Sequence, residues 1–297
     1  MARTNRIEKT AASKKSKIFF STLFIGFTVL FLVSALVLAL YYLQSKKEQS
    51  AFDQLVFTIE GKHLQGESRN FDLEALLSFD ESKSTHSGLE IIDQSILSHY
   101  QTLHMMNSDF IGWVKVENSK INYPVMYTPD DPEYYLRRAF DKTAAISGTP
   151  FIDVNCNLLS DVTIIYGHNM NNDSMFGTLD YYKDVRFWQE NPTFSFDTLD
   201  KRQQFEVFAV LESRVQAEKE SNFRYYEQCG VLTAPAHAEL MSWLIDHSLY
   251  DTGVVPRYGN HIVILSTCSY HTADGRFLVA AQKVHDGPVK DPQPETH

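Results

Sequence analysis

The chain is 297 residues long and 43% hydrophobic, enough for one sizeable core plus an appendage, or for two small domains. Its formal net charge is −10, yet residues 1–47 hold eight Lys/Arg against one acid, so residues 48–297 carry −17. An acidic body argues against nucleic acid as a partner. Three cysteines without C-x-x-C spacing argue against a structural zinc site and allow at most one disulfide.

Residues 18–43 form a run of 26 without a formal charge, chiefly Leu, Phe, Val, Ile and Ala. At about 1.5 Å per residue it crosses a hydrocarbon core of roughly 30 Å. A cleaved signal peptide has a shorter apolar run, of about 7–15 residues, ending in a small-x-small site. Here bulky Leu40, Tyr41, Tyr42 and Leu43 stand where cleavage would fall, so an uncleaved membrane anchor is expected. Arg3, Arg6, Lys9, Lys14, Lys15 and Lys17 precede the span, and only Lys46 and Lys47 follow closely. The positive-inside rule then puts residues 1–17 in the cytoplasm and the bulk of the chain outside the cell.

Residues 44–88 read as a polar stalk and N-terminal helical region, with a helical pattern at 71–79. A second helix is expected within 89–106, where Ile92, Ile96, Leu103 and Met106 recur at helical spacing before Asn107-Ser108-Asp109 breaks it. The pattern then changes to strands at 111–117 and 121–126, separated by an Asn118-Ser119 turn. Turns or short helical pieces follow at 130–135 and 174–179. Further strands are expected at 149–153, 162–166, 204–212, 262–267 and 277–284. A helix over 235–248 carries Leu240, Trp243, Leu244 and His247 on one side. Seven or eight strands without regular βαβ alternation predict a mainly β fold with added helices (α+β), either a mostly antiparallel sheet or a closed barrel. Residues 286–297, with three prolines, read as a flexible tail.

Three strand edges carry chemistry. The run from His261 ends at the thiol of Cys268, the run from Asp161 ends at His168, and Arg276 opens the last strand. A thiolate attacks a carbonyl, an imidazole can take or return its proton, and a guanidinium fork can hold an oxyanion or a peptide backbone. Together they suggest acyl transfer through a thioester, with no metal and no organic cofactor. Each residue alone has a plainer reading: a core thiol, a surface histidine, an ion-pair arginine. Cys156, in a loop, and Cys229 lack such a setting and read as structural.

Several motifs fit one family. Leu265-Ser266-Thr267-Cys268 resembles the T-L-x-T-C motif of sortases, the membrane-anchored cysteine transpeptidases of Gram-positive bacteria. Ile165-Tyr166-Gly167-His168-Asn169-Met170 resembles the segment bearing the family histidine, and Gly275-Arg276-Phe277 the strand bearing its arginine. Asp109-Phe110-Ile111-Gly112-Trp113 and Ile121-Asn122-Tyr123-Pro124 resemble class B openings. The resemblance covers about 89–285. It implies an eight-stranded sortase β-barrel with two N-terminal helices and one long helix before the cysteine strand. It also implies catalytic roles for His168, Cys268 and Arg276, with Ser266, Thr267 and Asn169 as candidate substrate contacts. The implied substrates are secreted proteins with a C-terminal sorting signal, cleaved after threonine. The implied acceptor is an amine of lipid-linked cell-wall precursor. A pilin lysine, or water in a hydrolase, is the alternative. Two positions depart from the family. Ile264 replaces the first threonine of the cysteine motif, and Asp153-Val154-Asn155-Cys156-Asn157 differs from the Asp-x-Arg-Asn run of many class B members. That region is expected near the substrate groove, so the identity of the sorting signal does not carry over with the fold. No acidic cluster has EF-hand spacing, so no calcium requirement is expected.

Overall fold

A computed structural model describes residues 2–60, 98–215, 223–268 and 274–287. The chain divides into two compact units, Met1–Ser50 and Ala51–His297. Helix α1 runs Ala2–Glu60. Within it the apolar side chains from Leu23 to Leu43 are exposed, and Leu23–Ile59 is long and apolar enough to cross a membrane. The expected helix at 71–79 lies outside the described residues, as do 89–97. The end of the second expected helix is present as α2, Ser98–Met106.

Eight strands close into a barrel: β1 Phe110–Lys115, β2 Asn122–Met126, β3 Phe151–Ile152, β4 Val162–Tyr166, β5 Thr193–Thr198, β6 Arg202–Arg214, β7 Ile262–Cys268 and β8 Gly275–Gly287. Their order around the barrel is β1-β2-β3-β4-β7-β8-β6-β5, and β5 returns to β1. Two pairings, β2–β3 and β4–β7, are parallel and the rest antiparallel. The β5 strand was not among the expected ones, although Thr193-Phe194-Ser195-Phe196-Asp197-Thr198 alternates strictly between half-buried and buried. A short helix α3, Val185–Glu190, precedes it, capped by the Asp184 carboxylate accepting from the Arg186 N–H.

Why β4 and β7 read as largely apolar runs rather than alternating ones is explained by burial on both faces. One face fills the barrel, where Ile165, Val263, Leu265, Phe277, Val279 and Ala281 join the main core. The other face, with Val162, Ile164, Ile262, Ile264, Leu278 and Ala280, is covered by helix α4, Ala234–Asp246. Leu240, Met241 and Leu244 of α4 are the buried stripe that does this. Thr233 caps the helix, accepting from the Ala236 N–H, and Pro235 tolerates the first turn because it has no N–H to leave unpaired. Phe52 of α1 meets Tyr123 of β2 edge-on at 5.4 Å, so the end of α1 contributes to the barrel core.

Candidate active site

Strand alternation decides which residues meet. Side chains two apart share a face, and on β7 the α4-side residues are Ile262 and Ile264, so Ser266 and Cys268 continue that series. On β8 the same parity gives Ala280, Leu278 and Arg276. On β4 it gives Val162, Ile164, Tyr166 and, two residues on, His168. Register aligns the three series: Tyr166 pairs with Ser266, and Cys268 with Arg276. Arg276 is also paired to Ser213 of β6.

The β4–β7 connection continues past the last strand residue. Gly167 N–H donates to Ser266 O at 3.1 Å. The Thr267 hydroxyl donates to Gly167 O at 2.7 Å. Asn169 Nδ2 donates to Cys268 O at 2.9 Å. The turn that carries His168 is therefore bonded to the strand that carries Cys268. Its far side is fixed as well, with Phe176 N–H on His168 O at 2.9 Å and Met175 N–H on the Tyr123 hydroxyl at 3.1 Å. Gly167 is required by packing: a Cβ there would lie 2.6 Å from Cγ of the buried Phe176.

Cys268 is exposed, and His168 and Arg276 are half-buried. His168 Nε2 lies 2.8 Å from Leu136 O in the 3₁₀ turn Tyr134–Arg137. A carbonyl oxygen only accepts, so Nε2 carries a proton and Nδ1 is the basic nitrogen of the neutral ring. Burial moves the His168 pKa below its usual value, against the Leu136 bond and together with nearby Arg137. Arg276 Nη1 donates to the two carbonyls just before it in the chain, Gly275 O at 3.0 Å and Asp274 O at 3.3 Å. Ser266 is buried, with its hydroxyl 3.1 Å from that of Tyr225, whose pKa burial pushes up to about 12.

His168, Cys268, Arg276, Ser266 and Tyr225 line a groove of about 540 Å³, within the usual size for a ligand site. Leu136, Tyr166, Tyr225 and Thr149 are among its walls, with Asp153 to Asn155 along one side. Ser266 and Thr267 reach it too, although their hydroxyls are occupied by Tyr225 and Gly167. Tyr225 and Leu136 were not expected from sequence. Leu136 acts through a backbone carbonyl, which no residue type signals, whereas Tyr166 was findable from its shared parity with His168.

No protein-family model matches the chain. Sortase B of Listeria monocytogenes is 30% identical over 179 residues, covering 60% of this chain and 70% of that protein. The chain belongs to the sortase B family. Sortase B of Staphylococcus aureus is 23% identical over 193 residues, 64% of this chain and 76% of that one. Among solved structures, Clostridium perfringens sortase B is 27% identical with a TM-score of 0.54, covering 62% of this chain and 99% of that chain. Sortase B of Bacillus anthracis superposes with a TM-score of 0.62 at 23% identity, covering 82% and 99%. The closed barrel is thus the sortase fold, and as a sortase B homologue the protein is a cysteine transpeptidase.

Proposed function

We propose that Cys268 is the nucleophile of this transpeptidase, His168 its proton-transfer partner, and Arg276 its electrostatic stabiliser. The observation that carries the reading is the register of β4, β7 and β8, with the Thr267 and Asn169 hydrogen bonds to the histidine turn. Cys268 Sγ attacks the threonine carbonyl of a C-terminal sorting signal, and the tetrahedral intermediate collapses to a thioester as the downstream peptide leaves. His168 Nδ1 takes the Cys268 thiol proton as the sulfur attacks, passes it to the leaving amine, then takes one from the incoming amine and returns it to the Cys268 thiolate as the thioester breaks; its lowered pKa favours the neutral, proton-accepting ring at pH 7. The Arg276 fork exchanges the Gly275 and Asp274 carbonyls for the oxyanion or the signal backbone. Ser266 and Thr267 line the groove around the scissile bond, whereas Asn169, expected to contact substrate, lies outside its lining and holds the Cys268 carbonyl instead.

The acceptor is an amine of lipid-linked cell-wall precursor. Residues 18–43 anchor the chain, with residues 1–17 cytoplasmic, 44–88 a stalk and helical region, the catalytic domain outside the cell from 89 past the expected 285 to Gly287, where β8 ends, and 288–297 a tail. Anchoring holds the enzyme on the surface where secreted substrates and lipid-linked acceptor both reside, which raises the effective concentration of each.

The test uses the full-length chain in detergent micelles, with peptides carrying Asn-Pro-Gln-Thr-Asn-like or Leu-Pro-x-Thr-Gly-like signals and a panel of amines. Mass spectrometry of quenched enzyme should find the acyl group on Cys268, and the products should include the amide. Cys268→Ala retaining cleavage refutes the nucleophile. Hydrolysis alone at every amine concentration refutes transfer to an amine.

A further inference from the structure

The two remaining cysteines lie beside this groove. Cys156 follows β3 in the turn that begins at Asp153, and it is 1% exposed. Cys229 follows the 3₁₀ turn Tyr225–Glu227 and is half-buried. Although far apart in sequence, their sulfurs and an Asp153 carboxylate oxygen all lie within 4.8 Å of one another. The Cys229 segment is tied to the start of β4, which follows the Cys156 turn: Gly230 N–H donates to Val162 O at 2.9 Å, and Gly230 O accepts from Asp161 N–H at 2.9 Å. Gly230 has φ +87°, and a Cβ there would lie 2.9 Å from Asn155 O, so the two segments pack closely. Both segments line the groove, through Asp153, Val154 and Asn155 on one and Tyr225, Tyr226 and Glu227 on the other.

We infer that Cys156 and Cys229 form a disulfide that staples these two walls of the groove together. Both thiols are free in the present structure. A metal ion suits the cluster less well. The Asp153 oxygens already accept from Asn155 N–H at 2.9 Å, Asn155 Nδ2 at 3.1 Å and the Tyr166 hydroxyl at 2.9 Å. Among the described residues the cluster supplies three donors, whereas a structural zinc site uses four.

The oxidant is an exchangeable disulfide, from a small thiol or an oxidoreductase. The half-exposed Cys229, as thiolate, attacks it, forming a mixed disulfide and expelling one thiolate. Cys156 then attacks the Cys229 sulfur, forming the internal disulfide and expelling the second. Two protein thiols lose two electrons and two protons, and the oxidant gains the electrons as two thiols. In the dithiol state the hydrogen bond from Cys229 holds the Cys156 thiol below its usual pKa. That same bond and burial push Cys229 up, so its first attack is the slow step and accelerates with rising pH. The outward topology proposed above supplies the oxidising compartment; the chemistry itself needs only the two thiols.

The full chain in detergent is divided between a reductant and oxidised glutathione, alkylated under denaturing conditions, digested without reduction and mapped by mass spectrometry. The oxidised sample should contain the Cys156 and Cys229 peptides joined, with Cys268 outside the link. The reduced sample should be alkylated at all three. In a Cys268→Ala background, oxidation closes a loop of roughly 70 residues and should raise Tm by about 10 °C. Cys156→Ser and Cys229→Ser should each remove that gap. Thiols that both remain alkylatable, a link through Cys268, an unchanged Tm, or one equivalent of zinc retained on dialysis and lost in Cys229→Ser would each overturn the inference. None of these readouts needs turnover, so they stand apart from the proposed catalytic roles.

Discussion

Replacing Thr267 by Val tests whether the histidine turn is held by the cysteine strand. The side chain is 2% exposed, and its hydroxyl donates at 2.7 Å to Gly167 O, one residue before His168. Valine keeps the shape and removes the donor. Loss of a buried hydrogen bond, with the carbonyl left short of a partner, costs about 1–3 kcal/mol. For a domain of about 200 residues, at roughly 2–4 °C per kcal/mol, that lowers Tm by roughly 2–12 °C. The functional effect should be larger than the stability loss alone explains, because a displacement near 1 Å at a reacting group costs up to about 10²-fold. Thr267→Ser separates the two effects: it keeps the hydroxyl, loses a methyl, and should retain near-wild-type kcat/KM. The assays are denaturant unfolding and peptide cleavage on the three proteins. A Thr267→Val enzyme within 0.5 kcal/mol and twofold of wild type would refute the reasoning, as would equal activity loss in both variants.

Gly167→Ala places a methyl against the buried Phe176 ring and should cost about 1–3 kcal/mol in unfolding experiments, with a fall in cleavage because His168 is adjacent. Arg276→Lys keeps the charge but loses the planar fork, so cleavage should drop by about 10²-fold or more with Tm little changed. The folded-state pKa of His168 lies below its unfolded value, so its contribution to stability is complete above about pH 6.5 and is lost as pH falls through that value toward the folded pKa. Unfolding free energy measured from pH 7.5 to 5 should therefore fall less steeply in His168→Gln than in wild type; parallel curves would contradict the assignment.

Much of the architecture was legible because β4 and β7 are buried on both faces and read as largely apolar runs ending in His168 and Cys268. Strand β5 was missed although its alternation is strict, because polar Thr, Ser and Asp occupy the half-buried positions and dilute the apolar signal. The expected strand at 149–153 shrinks to Phe151–Ile152, which bridges β2 by one residue pair and β4 by two. Periodicity alone left the barrel as one of two outcomes, and the motif resemblance implied it. Its closure rests on β5 pairing with β1, a contact between segments some eighty residues apart that no local pattern encodes.

By themselves the residues determined the apolar span near the N-terminus, the strand character of the body and the thiol, imidazole and guanidinium at strand ends. Those are local properties, set by hydropathy, period and side-chain chemistry. Which atoms face one another was decided only in three dimensions. The parallel pairing of β4 with β7 aligns the histidine and cysteine ends, and β8 returns to bring Arg276 opposite Cys268. The Leu136 carbonyl that sets the His168 tautomer, and the meeting of Cys156 with Cys229, arise the same way. Backbone groups and distant thiols carry no periodic signal, so only packing brings them into contact.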